Sequence, residues 1–134
     1  MNPSPALDDI AIRRTLAEYC HFCDAGDFEA LLDVFVPEAE IVYGSRVDRG
    51  RSGLLSFFRD LQGRPEQRGR HLTLNSVVDV AGDRASVRSD FLFVRFEDGR
   101  LIPAVVGSYR DTLVRDEDRW RIERREVIPL KSDG

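Results

Sequence analysis

Histidine, cysteine and tryptophan are scarce in this 134-residue chain, which has two histidines, two cysteines and one tryptophan. Long apolar runs are missing as well: a membrane-spanning helix needs about 20 consecutive apolar residues, and no run approaches that length. Residues 1–9 have neither the basic region nor the apolar region of a secretory signal. We therefore expect a cytoplasmic protein that makes no membrane contact.

A basic surface of the kind that binds nucleic acid is also missing from the sequence. The formal net charge is −4, and phosphate contacts are made mainly by Lys and Arg. The densest basic cluster, residues 119–125, is interleaved and flanked with acidic residues. This pattern is typical of charge pairing on a solvated sheet face, so we expect no nucleic-acid partner.

Cys20 and Cys23 form a Cys-x-x-Cys motif around His21. Redox motifs of this kind use a helix N-terminus to lower the thiol pKa, but here the motif lies at the end of a predicted helix, where the dipole has the opposite sign. A closed zinc site needs four ligands, and His71 is the one further Cys or His in the chain. We therefore predict two small core residues and no metal site. The sequence also has no nucleotide-binding glycine loop, which predicts no cofactor.

Apolar residues recur at helical spacing three times in the first half of the chain, and each run is bounded by capping or breaking residues. The residues after Arg70 are predicted to form β-strands, with short acidic and glycine turns between the segments. The predicted helices are bounded by Ser4 and Gly26, by Asp27 and Pro37, and by Ser52 and Gly63; a short strand covers residues 39–43, and four long strands cover 70–80, 84–96, 101–114 and 119–128.

Three helices cannot cover both faces of such a sheet, but they can cover one face if the sheet curls around them. Pro103 and Gly107 inside one long strand suit a bent sheet. We predict a single α+β domain over residues 1–134. It is a cone in which a curved antiparallel sheet, of four long strands and a short one, encloses the three N-terminal helices and an apolar pocket.

Four segments resemble SnoaL-like domains of the nuclear-transport-factor-2-like superfamily. Residues 19–31 and 35–41 resemble the opening of these domains, and residues 70–75 and 118–122 complete the pattern. The resemblance extends over residues 8–128. It implies a cystatin-like fold, a small apolar ligand, no cofactor and a homodimer, and it is weak for chemistry because this fold hosts many activities.

Within that family, the scytalone dehydratase-like branch is the most similar in pattern. The resemblance places the acidic residue of its first helix on Asp24, its first-strand tyrosine on Tyr43 and its pocket histidine on His71. It implies that His71 is the general base or acid, that Asp24 orients it, and that Tyr43 polarises the substrate oxygen. We therefore expect His71, Asp24 and Tyr43 to line one cavity. A second histidine, which that branch has on a later strand, has no counterpart here, since His21 lies on the first helix.

Three further residues are candidates for ligand binding. Tyr19 lies near Asp24 on the first helix, and Phe58 belongs to an aromatic group in the third helix of which some members should form the pocket wall. Strand alternation places Asn75 on the same face as His71 and Thr73, whereas Leu72, Leu74 and Val78 fall on the opposite face.

These residues lead to the expectation of a cofactor-independent lyase or isomerase. Its substrate would be a small, largely apolar oxygenated compound, such as a polyketide, a terpenoid or a steroid-like molecule. Two alternatives remain open. One is a non-catalytic binding module, such as the β subunit of an oxygenase. The other is an epoxide hydrolase, which would need Asp90 to point inward beside Asp24.

Overall fold

The first helix begins and ends at the residues that the sequence predicts. In the computed structural model, which describes residues 4–131, the side chain of Ser4 accepts a hydrogen bond from the backbone of Leu7, and Pro5 occupies the first helical position. The helix ends at Gly26, whose φ of +71° is the left-handed conformation that glycine adopts without strain.

The remaining elements follow in the order helix, two strands, helix, a short 3₁₀ turn and four strands. The bounds are α1 Pro5–Ala25, α2 Phe28–Asp33, β1 Phe35–Tyr43, β2 Arg46–Arg49, α3 Gly50–Gln62, the 3₁₀ turn Pro65–Gln67, β3 Arg70–Ala81, β4 Arg84–Glu97, β5 Arg100–Asp116 and β6 Arg119–Pro129.

All six strands form one curved open sheet, in the order β2-β1-β6-β5-β4-β3. The long strands β3 to β6 form an antiparallel meander, as predicted. β1 pairs with β6 in the parallel direction, so the sheet is mixed and not wholly antiparallel. The helices pack on one face of this sheet and share its core, which confirms the predicted α+β architecture.

Three boundary predictions were wrong. β1 begins at Phe35, and Pro37 lies inside it, at an irregular stretch where the β1–β6 register shifts and β2 does not pair. A proline is tolerated there because its missing N–H has no ladder partner to lose. Helix α3 begins at Gly50, ahead of Ser52, which is therefore not its cap. β2 was not predicted, because four mostly polar residues give little strand signal.

The core lies between the helices and the concave side of the sheet. Its most buried members come from every layer, so that the sheet and the three helices close one apolar interior. They are Ile12, Leu16, Leu31, Ile41, Leu54, Leu113 and Ile122, each 0–2% exposed.

A β-bulge in β3 changes which residues of that strand face inward. The pairing of β3 with β4 shifts register between Leu74 and Val77, and Asn75 has a left-handed φ of +56°. Before the bulge His71 and Thr73 share one face, as predicted, and that face points inward. After it Val78 packs against the core, so the prediction that Val78 shares a face with Leu72 was wrong.

The Arg-rich cluster of residues 119–125 is only partly the solvated face that the sequence predicts. Arg119 and Arg121 pair with Asp33 on the surface, and Arg124 pairs with Glu40. Arg125 is instead fully buried. Within residues 4–131, no helix is long and apolar enough to cross a membrane.

Candidate active site

A cavity of about 310 Å³ opens between the helices and the concave side of the sheet. This volume lies at the lower end of the range for small-molecule sites. Aromatic and aliphatic side chains form most of its wall, and a few polar groups lie among them. The lining includes Tyr19, Cys23, Tyr43, Phe57, Phe58, Gln62, His71, Phe91, Phe93, Arg95, Val105, Tyr109 and Val127.

His71 is held at the cavity wall by Asp24. The imidazole Nδ1 lies 2.6 Å from Asp24 Oδ1, and the backbone N–H of His71 donates to both carboxylate oxygens at 3.1 Å. Both side chains are about one-tenth exposed. The imidazole also stacks on Phe93, with ring centroids 4.4 Å apart. These contacts fix the position and the plane of the imidazole ring.

The contact with Asp24 also assigns the proton of the imidazole ring. An ionised carboxylate only accepts hydrogen bonds, so the nitrogen that faces it must carry a proton. In the neutral ring the proton is therefore on Nδ1, and Nε2, on the other side of the ring, has the free lone pair. His71 thus offers a proton acceptor on the side away from Asp24.

Asp24 stands behind His71 and does not line the cavity, contrary to the prediction that both would line it. It borders a separate outer cleft together with Arg70 and Leu72. Its place follows from the fold: β3 is the edge strand of the sheet, and the last turn of α1 places Asp24 against the backbone N–H of that edge. The sequence therefore predicted that Asp24 and His71 interact, but not that only His71 lines the cavity.

Tyr43, Tyr19 and Phe58 all line the cavity. Tyr43 packs beside Phe57, with ring centroids 6.2 Å apart. Tyr19 is 3% exposed and meets the imidazole of His71 edge-on at 6.2 Å. Both tyrosines carry a phenol hydroxyl, a group that can donate a hydrogen bond.

Tyr109 and a buried ion pair complete this part of the wall, and sequence reasoning missed them. Tyr109 lines the cavity and stacks on Phe91 at 4.3 Å. The guanidinium of Arg125 lies between the rings of Tyr109 and Tyr19, at 3.7 Å and 4.2 Å, and donates two hydrogen bonds to Asp111 at 2.7 and 2.9 Å. Alternation along β5, which places Tyr109 and Asp111 on one face, was the signal available for them.

These buried groups have shifted pKa values. Burial raises the pKa of the Tyr19 hydroxyl and that of the Tyr109 hydroxyl, so both are neutral donors. Burial alone would lower the pKa of Arg125, but the charge and hydrogen bonds of Asp111 outweigh it and the net shift is upward. A permanent positive charge therefore lies behind the two phenol rings.

The model of the SnoaL-like domain family matches residues 4–126 of the chain. The chain belongs to this family. Among solved structures, a protein of unknown function from Mycobacterium tuberculosis is 26% identical, with a TM-score of 0.89 over 97% of this chain and 78% of that one. An NTF2-like protein with a cystatin-like fold, from Novosphingobium aromaticivorans, is 28% identical, with a TM-score of 0.83 over 96% and 86% of the two chains.

A third solved structure, named as a putative scytalone dehydratase from Novosphingobium aromaticivorans, is 26% identical and has a TM-score of 0.82. The match covers 96% of this chain and 89% of that one. No curated protein sequence matches the chain. The predicted SnoaL-like family and cystatin-like fold are thereby confirmed.

Two other acidic and amide side chains do not reach the cavity of this SnoaL-like domain. Asn75 is exposed at the bulge of β3, where its amide donates to Asp90 at 2.9 Å. The prediction that Asn75 binds the ligand is not supported, because the bulge turns its side chain away from the cavity. Asp90 is likewise exposed, so it does not stand beside Asp24 as an epoxide hydrolase would require.

The cysteines are free and buried, in line with their interpretation as core residues. Burial raises the pKa of the Cys23 thiol and of the Cys20 thiol. Cys20 also lies 3.2 Å from the hydroxyl of Thr73. Within residues 4–131, no group of three or more His, Cys, Asp or Glu side chains is arranged to hold a metal ion.

Proposed function

We propose that this SnoaL-like protein is a cofactor-independent lyase or isomerase that moves a proton next to the carbonyl of a small, largely apolar compound. The observation that carries the proposal is the Asp24–His71 pair at the wall of an apolar cavity. It leaves one imidazole nitrogen free to accept a proton beside aromatic side chains. The neighbour named for scytalone dehydratase adds support from a related fold.

In the proposed reaction, Nε2 of His71 removes a proton from the carbon next to the ligand carbonyl. The electron pair of the broken C–H bond moves onto the carbonyl oxygen and forms an enolate. The hydroxyl of Tyr43 donates to that oxygen, and Tyr19 and Tyr109 are further donors at the same wall. The imidazolium then returns its proton, to another carbon in an isomerisation or to a departing hydroxyl in a dehydration.

Two steps test the proposal. Thermal-shift screening of apolar ketones and hydroxyketones, beginning with the bicyclic aromatic ketone 1-tetralone, identifies compounds that bind. NMR in D₂O then measures deuterium exchange at the carbon next to the carbonyl. We expect catalysed exchange by the wild type and a decrease of about 10²-fold or more in His71→Gln, because general acid–base catalysis contributes about 10²–10⁴-fold.

His21→Gln is the matched control, because His21 is exposed on α1 and should leave the exchange rate unchanged. Binding without any catalysed exchange would contradict the proposal and favour the non-catalytic binding module. An equal loss in both histidine variants would also contradict the assignment of His71 as the base.

A further inference from the structure

Two polar atoms of the cavity residues are buried without a hydrogen-bond partner among residues 4–131. They are Oε1 of Gln62 and Nε of Arg95, and both residues line the cavity. Gln62 is 6% exposed. An unpaired buried polar group destabilises the folded protein and is rare in native structures. Two of them in one cavity wall indicate a ligand group that pairs with both.

The two residues reach the same cavity from different elements. Gln62 ends α3, and its backbone carbonyl accepts from the guanidinium of Arg68 at 2.9 Å. Gly69, which follows Arg68 in the chain, lies against the side chain of Arg95. On β4, Arg95 follows Phe93 on the inward face, about 7 Å further along the strand. The polar pair therefore lies beyond the imidazole that stacks on Phe93.

The backbone of Gln62 and the side chain of Arg95 are held in place before any ligand binds. Arg68 fixes the backbone of Gln62 through Gln62 O and Gly63 O, and Glu97 pairs with the terminal nitrogen Nη2 of Arg95 at 3.0 Å. This leaves Nε of Arg95 as the free donor and Oε1 of Gln62 as the free acceptor. Because Glu97 neutralises Arg95, the two atoms favour a neutral group that both donates and accepts.

We propose that Gln62 and Arg95 form a subsite for a hydroxyl group on the ligand, on the side of the molecule away from the reacting carbonyl. The hydroxyl donates to Gln62 Oε1 and accepts from Arg95 Nε. A carboxylate would accept from Arg95 Nε but has no proton to donate to Gln62 Oε1, which would stay unpaired. This inference rests on the proposed function, since it takes the ligand to be a ketone whose carbonyl end lies at His71.

The test compares the binding of 1-tetralone, 6-hydroxy-1-tetralone and the corresponding 6-carboxylate by isothermal titration calorimetry. The wild type should bind the hydroxyketone about tenfold more tightly than the ketone, as expected for the net gain of hydrogen bonds in a desolvated site. Gln62→Leu and Arg95→Met should each reduce that preference to less than about threefold and leave the affinity for 1-tetralone within about twofold.

Arg88→Met is the matched control, because Arg88 is an exposed residue of the same strand that does not line the cavity; it should keep the tenfold preference. The melting temperature of ligand-free Gln62→Leu should equal or exceed that of the wild type, since an unpaired buried oxygen is removed. A lower melting temperature would show instead that the Gln62 side chain has a structural role and would overturn the subsite.

Failure of the subsite and failure of the proposed function give different results. Equal affinity for the ketone and the hydroxyketone, a preference for the carboxylate, or a preference that survives in Gln62→Leu would overturn the subsite. In each of these cases, a deuterium exchange of 1-tetralone that depends on His71 would still support the proposed function. If the wild type binds neither neutral tetralone nor any other ketone or hydroxyketone of the screen, both proposals are overturned.

Discussion

Asp24 accepts hydrogen bonds from two groups of His71, the backbone N–H and Nδ1. In Asp24→Asn the single amide oxygen should keep the backbone N–H, because that group lies at a sheet edge and has no other acceptor nearby. The amide NH₂ then faces Nδ1 and donates to it. We therefore predict that the imidazole proton moves to Nε2, the nitrogen that the proposed reaction needs as a base.

The ¹⁵N chemical shifts of the His71 ring measure this change of tautomer directly and require no substrate. Asp90→Asn, at an exposed position away from the cavity, should give the wild-type tautomer. If Asp24→Asn keeps the proton on Nδ1, Asp24 does not set the tautomer. Exchange catalysed by the variant should fall together with the change of tautomer.

The buried pair of Arg125 and Asp111 should show the largest effect on stability. Both side chains are 0% exposed, and Asp111→Ala would leave the guanidinium charged and without its partner. We expect a loss of about 3–5 kcal/mol in the free energy of unfolding, measured by urea denaturation. Asp33→Ala removes an exposed partner of Arg119 and Arg121 and should cost at most about 1 kcal/mol.

The same buried pair allows a second comparison. Replacing both partners with apolar residues, as in Asp111→Leu with Arg125→Met, removes the charge together with its partner. The double variant should therefore be more stable than Asp111→Ala. A double variant that is less stable than Asp111→Ala would mean that the pair stabilises the fold through its packing between the tyrosines, and not through charge compensation.

The raised pKa values of Tyr19 and Tyr109 predict how stability depends on alkaline pH. In the unfolded chain these phenols have an ordinary pKa near 10, so above that pH the unfolded state binds fewer protons than the folded state. Stability is then fully present below about pH 10 and falls as the pH rises. Urea denaturation between pH 8 and 11 measures the fall, and Tyr19→Phe should make it less steep.

At the scale of single elements, the bulge in β3 decides which residues of the strand reach the interior. Asn75 has a left-handed φ of +56°, which a β-branched residue adopts only with strain. We predict that Asn75→Val costs about 1–2 kcal/mol in the free energy of unfolding. Asn75→Gly, which removes the same contact with Asp90, should be close to neutral. Equal effects in urea denaturation would show that the bulge has no preference for a left-handed residue.

The bulge also shows what the sequence predicts and what it leaves out. Alternation placed His71 and Thr73 on one face correctly because both residues precede the bulge. It failed for Asn75 and Val78 because one extra residue reverses the alternation. Helix α1 was predicted to the residue, since Ser4 and Gly26 are local signals that act through their own backbone.

The ends of other elements depend on partners far away in the chain. β2 forms because it pairs with β1, and the start of β1 at Phe35 depends on its parallel pairing with β6. Neither pairing can be predicted from the local pattern of residues. The buried position of Arg125 has the same origin, because it is Asp111 on the neighbouring strand that compensates its charge.

At the scale of the whole molecule, the sheet face opposite the helices carries an apolar row. Leu72, Leu92 and Val106 stand side by side on β3, β4 and β5, and Leu72 and Val106 are 43% and 47% exposed. Leu74 and Ile128, at 44% and 37%, extend the patch. Exposed apolar surface of this kind favours association, and a patch on one face suits a two-fold symmetric pair.

We propose that the protein is a homodimer through this sheet face, and light scattering coupled to size-exclusion chromatography at micromolar concentration measures its mass. The wild type should have twice the mass of one chain. Val106→Glu should be a monomer, because the dimer would bury its carboxylate at the centre of the row without a partner. Val47→Glu is the matched control: Val47 is 57% exposed but lies on β2, at the far edge of the sheet from β3, so this variant should remain a dimer. A monomeric wild type would contradict the dimer, whereas a dimeric Val106→Glu would place the interface on another face, since the charge would then stay in solvent.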